Sequence, residues 1–375
     1  MTSGIASGQY NIVIDSIGSA GIQLIHNLKQ VSKLDEQQLA KALFQAPALL
    51  LSGLEKKLAQ EVNQLLRSTG AETRVCHQSD EWEAGDGDHE VALVVQNHGR
   101  IPQVLKEIIA ICGVSPEVAI QMLYNTPTVL LGQISSNTVT ELKKRFTPLE
   151  VQLDVSLPAK ALYDVYLGGG TLAERSEIVQ AMRGIGVSPA NGRETLTTED
   201  PLLATDIDYP TSQKLWQILT DRKISFKILN RDYQRFDLKL EQGQFDQPLC
   251  DYLQNEFKIP DKIIPKLKDR LPIVVLQNAK FDDMQHHIAA LHELGAKATG
   301  HLLAFQRFDL KLTKIDDASK AAQKNNEMTG QSQKSLNSLI KSNKVIPGPF
   351  SALQARWIGS ELKKLKTESR LVLRT

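Results

Sequence analysis

Five prolines recur along this chain at nearly even steps: Pro47, Pro127, Pro201, Pro272 and Pro347 are separated by 80, 74, 71 and 75 residues. Each follows an amphipathic stretch. The first four directly precede a short apolar run: Leu49-Leu50-Leu51, Val129-Leu130-Leu131, Leu202-Leu203 and Ile273-Val274-Val275-Leu276. A fixed period with a fixed internal layout marks one supersecondary unit repeated, here about five times.

The repeat holds position by position. Residues 11–75 lie on 91–155 at a constant offset of 80 without a gap, so that Val13 meets Leu93, Leu24 meets Val104, Leu28 meets Ile108, Leu43 meets Leu123 and Leu66 meets Phe146. Apolar positions agree while polar ones drift, as a shared core demands. Gln234–Leu240 and Gln306–Leu312 both read QRFDLKL, 72 residues apart, and mark two equivalent opening strands.

Within one unit, Asn11–Asp15 has the β-branched content of a strand, and Ile22, Leu24, Ile25, Leu28 and Val31 follow at helical spacing. A second helix covers about 35–45. Its counterparts begin Ser115-Pro116-Glu117 and Ser188-Pro189, an N-cap hydroxyl with proline in the first turn. Proline ends the helix and a short strand follows. A third helix with Leu58, Val62, Leu65 and Leu66 on one face stops at Gly70, and Ala71–Val75 supplies the last strand. The fold class expected is α+β, a tandem array of about five β-α-α-β-α-β units, each a three-stranded sheet covered by three helices. The repeats fall at 9–76, 89–156, 161–230, 234–304 and 306–375, the last diverged and basic, with 77–88 as an acidic, flexible linker.

Units this small bury only about 60% of their unfolded surface, so contact between neighbours is expected to stabilise them. Three cysteines, Cys76, Cys112 and Cys250, are widely spaced and show neither a disulfide framework nor zinc spacing, which favours a reducing, cytoplasmic setting. No stretch approaches a membrane span. The formal net charge of +1 hides an asymmetry: residues 313–375 carry 12 Lys+Arg against 5 Asp+Glu. Such a segment suits an acidic protein, RNA or a phospholipid surface.

The first unit resembles the C-terminal domain of the bacterial large-subunit ribosomal stalk protein over about 65 residues. The landmarks are Gly18 after the first strand, Ile22/Leu24/Ile25/Leu28, Ala46-Pro47, Gly53, Ala59 and the ending Gly70-Ala71-Glu72 with Val75. In that family the first two helices recruit translational GTPases through a basic and apolar surface. The resemblance carries this role to Ile22, Ile25 and Lys29. Gly21, His26 and Ala40 stand where the family has lysine; in the second unit Ile101, Lys106, Ile109 and Ile120 do, and Lys106 alone is basic. The chain lacks the helical dimerising region and Ala-rich hinge of the stalk. The Clp-protease adaptor shares this fold, but its Asn-Asp-Asp motif is missing, with Gln96-Asn97-His98 the nearest approach.

Other chemistry is weaker. Asp282-Asp283 with His286, His287 and His292 is the densest ligand cluster, yet His287 falls on the core position of Leu142 and no other unit repeats it. Leu167-Gly168-Gly169-Gly170-Thr171 lacks the Lys-Ser/Thr of a phosphate loop. Cys76 and His77, adjacent on a strand, point to opposite faces. Trp357 lies in an amphipathic stretch and reads as core. No catalytic residue, metal site or cofactor is therefore expected.

The function expected is a non-enzymatic protein–protein interaction scaffold or adaptor, binding through Ile22, Ile25, His26, Lys29 and Lys106. The alternative is a translation- or RNA-associated factor that meets ribosome, GTPase or RNA through residues 313–375. Open strand edges also leave homo-oligomers available.

Overall fold

The computed structural model describes residues 8–29, 34–167, 172–188 and 202–374. The chain divides into two compact units, Met1–Pro158 and Ala159–Thr375.

The first unit holds two repeats. One runs β1 (Tyr10–Ser16), α1 (Ile22–Lys29), α2 (Glu36–Phe44), β2 (Ala48–Leu54), α3 (Lys56–Ser68) and β3 (Glu72–His77). The next runs β4 (His89–Val95), α4 (Ile101–Cys112), α5 (Pro116–Tyr124), β5 (Thr128–Ile134), α6 (Ser136–Phe146) and β6 (Val151–Ser156). Each sheet is antiparallel, with the first strand between the second and third. Capping matches the sequence signals: Asp35 and Gln38 form a capping box on α2, and the Ser115 hydroxyl accepts from Val118 N–H on α5.

The second unit holds three repeats. The third of the chain shows β7 (Tyr163–Leu167), α7 (Leu172–Gly184), β8 (Leu202–Ile207), α8 (Tyr209–Asp221) and β9 (Phe226–Asn230). Pro189 and the helix expected to follow it, and Pro201 itself, lie outside the described residues. The fourth has β10 (Phe236–Gln242), α9 (Gln247–Asn255), the single-turn α10 (Ile264–Leu267), β11 (Ile273–Ala279), α11 (Phe281–Glu293) and β12 (Lys297–Leu302). The fifth has β13 (Phe308–Lys314), α12 (Ala318–Thr329), α13 (Gln333–Asn343), β14 (Val345–Phe350), α14 (Ala352–Lys364) and β15 (Glu368–Leu373). All three sheets keep the same strand order. The protein is thus an α+β array of five repeated three-stranded units. Strand alternation places the core: Ile12 and Ile14 face the helices in the first repeat, as do Leu310 and Leu312 in the fifth.

Several details correct the sequence reading. Ile12 pairs with Leu51 and Val75, while Val91 pairs with Leu131 and Val155, so the first strands match at an offset of 79. From the second strands onward the offset is 80; the extra residue of the second repeat falls between its opening strand and that point. Pro347, the one proline of the five with no apolar run directly after it, lies inside the edge strand β14, where a missing N–H is tolerated. In α3, Ala59 and Leu66 face the core, while Leu58 and Leu65 are 47% and 64% exposed. Trp357, Ile358 and Leu362 of α14 are buried, in keeping with the core reading of Trp357.

The stretch 77–88 is also packed rather than free. Gly85 N–H donates to the Pro47 carbonyl at 2.8 Å, and Asp86 Oδ1 accepts from Ser136 N–H at 3.3 Å, where α6 begins. A Cβ on Gly85 would stand 2.2 Å from the Gln45 carbonyl oxygen, so only glycine permits this approach.

Candidate functional site

The residues expected to meet a partner do not form one exposed face. Ile25 is 1% exposed and belongs to the first repeat's core, which rules it out as a docking residue. Ile22 is half-buried and presses on α4: a Cβ on Gly113 would stand 2.7 Å from its side chain. Gly21 is closer still, its own Cβ position 2.0 Å from the Ala110 carbonyl oxygen. The helix surface expected to recruit a partner is therefore partly occupied by the neighbouring repeat. Lys29 is exposed and pairs with Glu36 at 3.1 Å, and Lys106 is exposed on α4. His26 lies in α1, its side chain outside the described residues.

A different site emerges one helix further on. A cleft of about 280 Å³ opens between α2, the start of β2 and the folded-back linker. Leu34, Gln38, Lys41 and Ala42 contribute from the helix side. Pro47 and Leu49 contribute from the strand, and Trp82 with Gly85 from the linker. The cleft exists because the linker docks: the Gly85–Pro47 bond sets its height, and Gly87 fits against the Gln45 side chain. Gln45 is held in turn, its Nε2 donating to the Gln133 carbonyl at 3.0 Å. Two large apolar groups face the opening, the half-buried Trp82 and Leu49, which is 41% exposed. Lys41 is exposed beside them and forms no ion pair among the described residues. Exposed Glu81 and Glu83 flank Trp82 in the chain. The arrangement offers an apolar slot with one ammonium and a nearby acidic strip, which suits binding an extended segment by one bulky side chain.

Sequence reasoning missed this site. One available signal was Trp82 itself, a large aromatic set in the otherwise polar run Ser79–Asp88. A solvated linker has no use for an indole.

The remaining clusters have structural partners. Tyr252 and His287 Nδ1 share a 2.8 Å hydrogen bond, and burial, then neighbouring His286, pushes the His287 pKa down. Among the described residues, no three His, Cys, Asp or Glu side chains converge as a metal site. Cys112 is pushed up to about 11 by burial, far from a nucleophilic thiolate at neutral pH. Gly168, Gly169, Gly170 and Thr171 of the glycine loop lie outside the described residues. Among the described residues no single helix is long and apolar enough to cross a membrane.

No protein-family model, curated protein or solved structure matches this chain.

Proposed function

We propose that this chain is a non-enzymatic protein-interaction scaffold or adaptor built from tandem ribosomal-stalk-type units. Its docking site is the cleft between α2 and the linker, and the observation that carries the reading is the slot formed by half-buried Trp82 and exposed Leu49 beside unpaired Lys41. A partner segment seats one bulky apolar side chain there, and tryptophan supplies the rigid contact area typical of residues that dominate binding energy. Three free thiols suit a reducing compartment such as the cytoplasm.

The test is capture from native lysate at low and high salt, comparing the wild-type chain with a Leu49→Asp/Trp82→Ala double variant. Loss of the captured proteins, with circular dichroism and melting unchanged, supports the cleft; identical capture removes it. Recovery of ribosomes, translational GTPases or RNA by both proteins, lost at high salt, would transfer the function to the basic last repeat.

A further inference from the structure

In the first compact unit, α6 of the second repeat lies against β1 of the first. Two side chains of the helix bond to the first repeat there, one on β1 and one just beyond it, and a third is buried between them. Asn137 Nδ2 donates to the Asp15 carbonyl at 3.4 Å, Thr138 is fully buried, and Arg145 Nη1 donates to the Ala20 carbonyl at 2.9 Å. Beneath the helix, Val13 is fully buried although it points away from Ile12 and Ile14 and the first repeat's own core. Docking a third helix on the outer face of another repeat's sheet is therefore a contact this fold already makes.

The same positions in the first repeat, 80 residues earlier, are Lys57, Leu58 and Leu65 of α3. There all three are exposed. Leu58 is 47% and Leu65 64% exposed, with half-buried Val62 between. Glu61 sits on the same stripe, three residues after Leu58 and four before Leu65. It is exposed and forms no ion pair among the described residues. α3 thus presents two leucines around an unpaired carboxylate, with exposed Lys57 at the edge of the stripe; of the counterparts of the leucines on α6, Thr138 is buried and Arg145 half-buried.

The fifth repeat shows the complementary face. On the outer side of its sheet, Lys311 of β13 stands directly opposite Arg370 of β15, and both are exposed. Like charges directly opposed destabilise a sheet unless an acid joins them. Neither forms an ion pair among the described residues. Asp309, on the same side, is already engaged by Gly348 N–H at 2.6 Å and Arg374 at 3.5 Å. Val372, opposite Asp309, is 39% exposed and adds an apolar step beside the two cations.

We propose that these two faces bind each other between copies of this chain. α3 of one molecule docks on the outer face of the β14-β13-β15 sheet of a second, with Leu58 and Leu65 against Val372 and Glu61 between Lys311 and Arg370. The contact is heterologous, head to tail, so it generates rings where the rotation closes and open filaments where it does not. It reproduces between molecules the helix-on-sheet contact that α6 makes inside one.

The experiment is sedimentation velocity on the full chain over a broad concentration range, at low and high salt. The wild-type protein is expected to gain mass with concentration and lose it as salt rises. Glu61→Lys and, separately, Lys311→Glu/Arg370→Glu are each expected to weaken association at least about tenfold, since both place like charges together. Leu65→Ala weakens it without a charge change. Mixing the two charge variants restores association, because each supplies the face the other has lost. All these residues are exposed, and circular dichroism checks that the variants fold. A concentration-independent monomer, charge variants that associate like wild type, or a mixture that stays monomeric would each overturn the proposal. So would RNA binding lost in Lys311→Glu/Arg370→Glu with the mass unchanged. A monomeric chain leaves lysate capture through the Trp82 cleft untouched, so the two readings fail separately.

Discussion

Gln234 donates its side-chain amide to Asp164 at 2.8 Å, linking the opening of the fourth repeat to the first strand of the third. Its amide oxygen accepts from the Tyr166 hydroxyl at 3.3 Å, so the glutamine is held at both ends. Gln306, 72 residues on, stands close enough to Asp237 to lower its pKa, while its Nε2 donates to the His301 carbonyl at 3.2 Å. The first copy of the heptapeptide therefore divides its labour, Gln234 reaching back one unit and Asp237 facing Gln306 of the next, whereas Asp309 of the second copy takes Gly348 N–H and Arg374.

Asp164 carries the heavier duty in the third repeat. It is buried, pairs with Arg231 at 2.7 Å and accepts from Asp206 N–H at 3.3 Å. Asp164→Ala removes the buried partner of Arg231, leaves the exposed Asp206 at 2.6 Å as its remaining carboxylate, and is expected to cost about 3 kcal/mol, the lower end for a broken buried pair. Gln234→Leu leaves that ion pair intact and is expected to cost about 1–3 kcal/mol. Native-state hydrogen exchange should show the loss concentrated in β7, β8 and β9 for Asp164→Ala. Equal, small effects from both variants would show that the ion pair contributes little.

Asp237 gives stability an unusual pH slope. Burial pushes its pKa up, partly offset by Asn278 N–H at 3.2 Å and by the positive field of Arg356. The folded state then holds this proton more tightly than the unfolded chain does. Above the ordinary carboxylate range the unfolded state binds fewer protons, so the contribution is full at low pH and is lost as pH rises through the raised pKa. Asp237→Asn keeps an acceptor for Asn278 and removes the charge. Its urea midpoint is expected to fall less than wild type's between about pH 4 and pH 7. Parallel profiles would mean the carboxyl ionises in the folded protein without penalty.

The repeat was legible because cores constrain inward faces: Leu24, Leu28, Leu43 and Leu66 recur as Val104, Ile108, Leu123 and Phe146 and are buried in both repeats. Helix starts at Asp35 and Ser115 were legible because caps are local chemistry. What lay beyond reach was contact between units. Periodicity shows that Ile22 is apolar, but not that Gly113 lies under it. Composition makes 77–88 look like solvated linker, because the bonds that dock it, Gly85 to Pro47 and Asp86 to Ser136, join residues distant in sequence. The one-residue slip between β1 and β4 was hidden because Val13 and Leu93 are both apolar, although they face opposite sides of their sheets.

The joint between the first two repeats rests on a small residue. Because the Gly21 Cβ position is 2.0 Å from the Ala110 carbonyl oxygen, Gly21→Ala must push α1 from α4, and overpacking of this kind costs about 1–3 kcal/mol. Gly184 is the control: a Cβ there meets nothing within 4 Å, and its φ is not left-handed. Gly184→Ala near the end of α7 is expected to be neutral or to stabilise by up to about 1 kcal/mol. Thermal melts of both variants check this, and equal behaviour would show that α1 and α4 have room to shift.

The three thiols should separate in reactivity. Cys112 ends α4, and burial raises its pKa to about 11, outweighing the favourable field of Arg145. At pH 8 only about 0.1% of that thiol is ionised, and the thiolate is the species that reacts. Burial also raises the pKa of Cys76 and Cys250, but without so large a displacement. Timed labelling of native protein with iodoacetamide, read by peptide mass spectrometry, is expected to modify Cys76 and Cys250 well before Cys112. Denaturing the protein first should abolish the difference, since the pKa gap belongs to the fold. Early labelling of Cys112 in the native state would mean that α4 opens from the first repeat on the labelling timescale, and that the Gly21–Ala110 contact is made only part of the time.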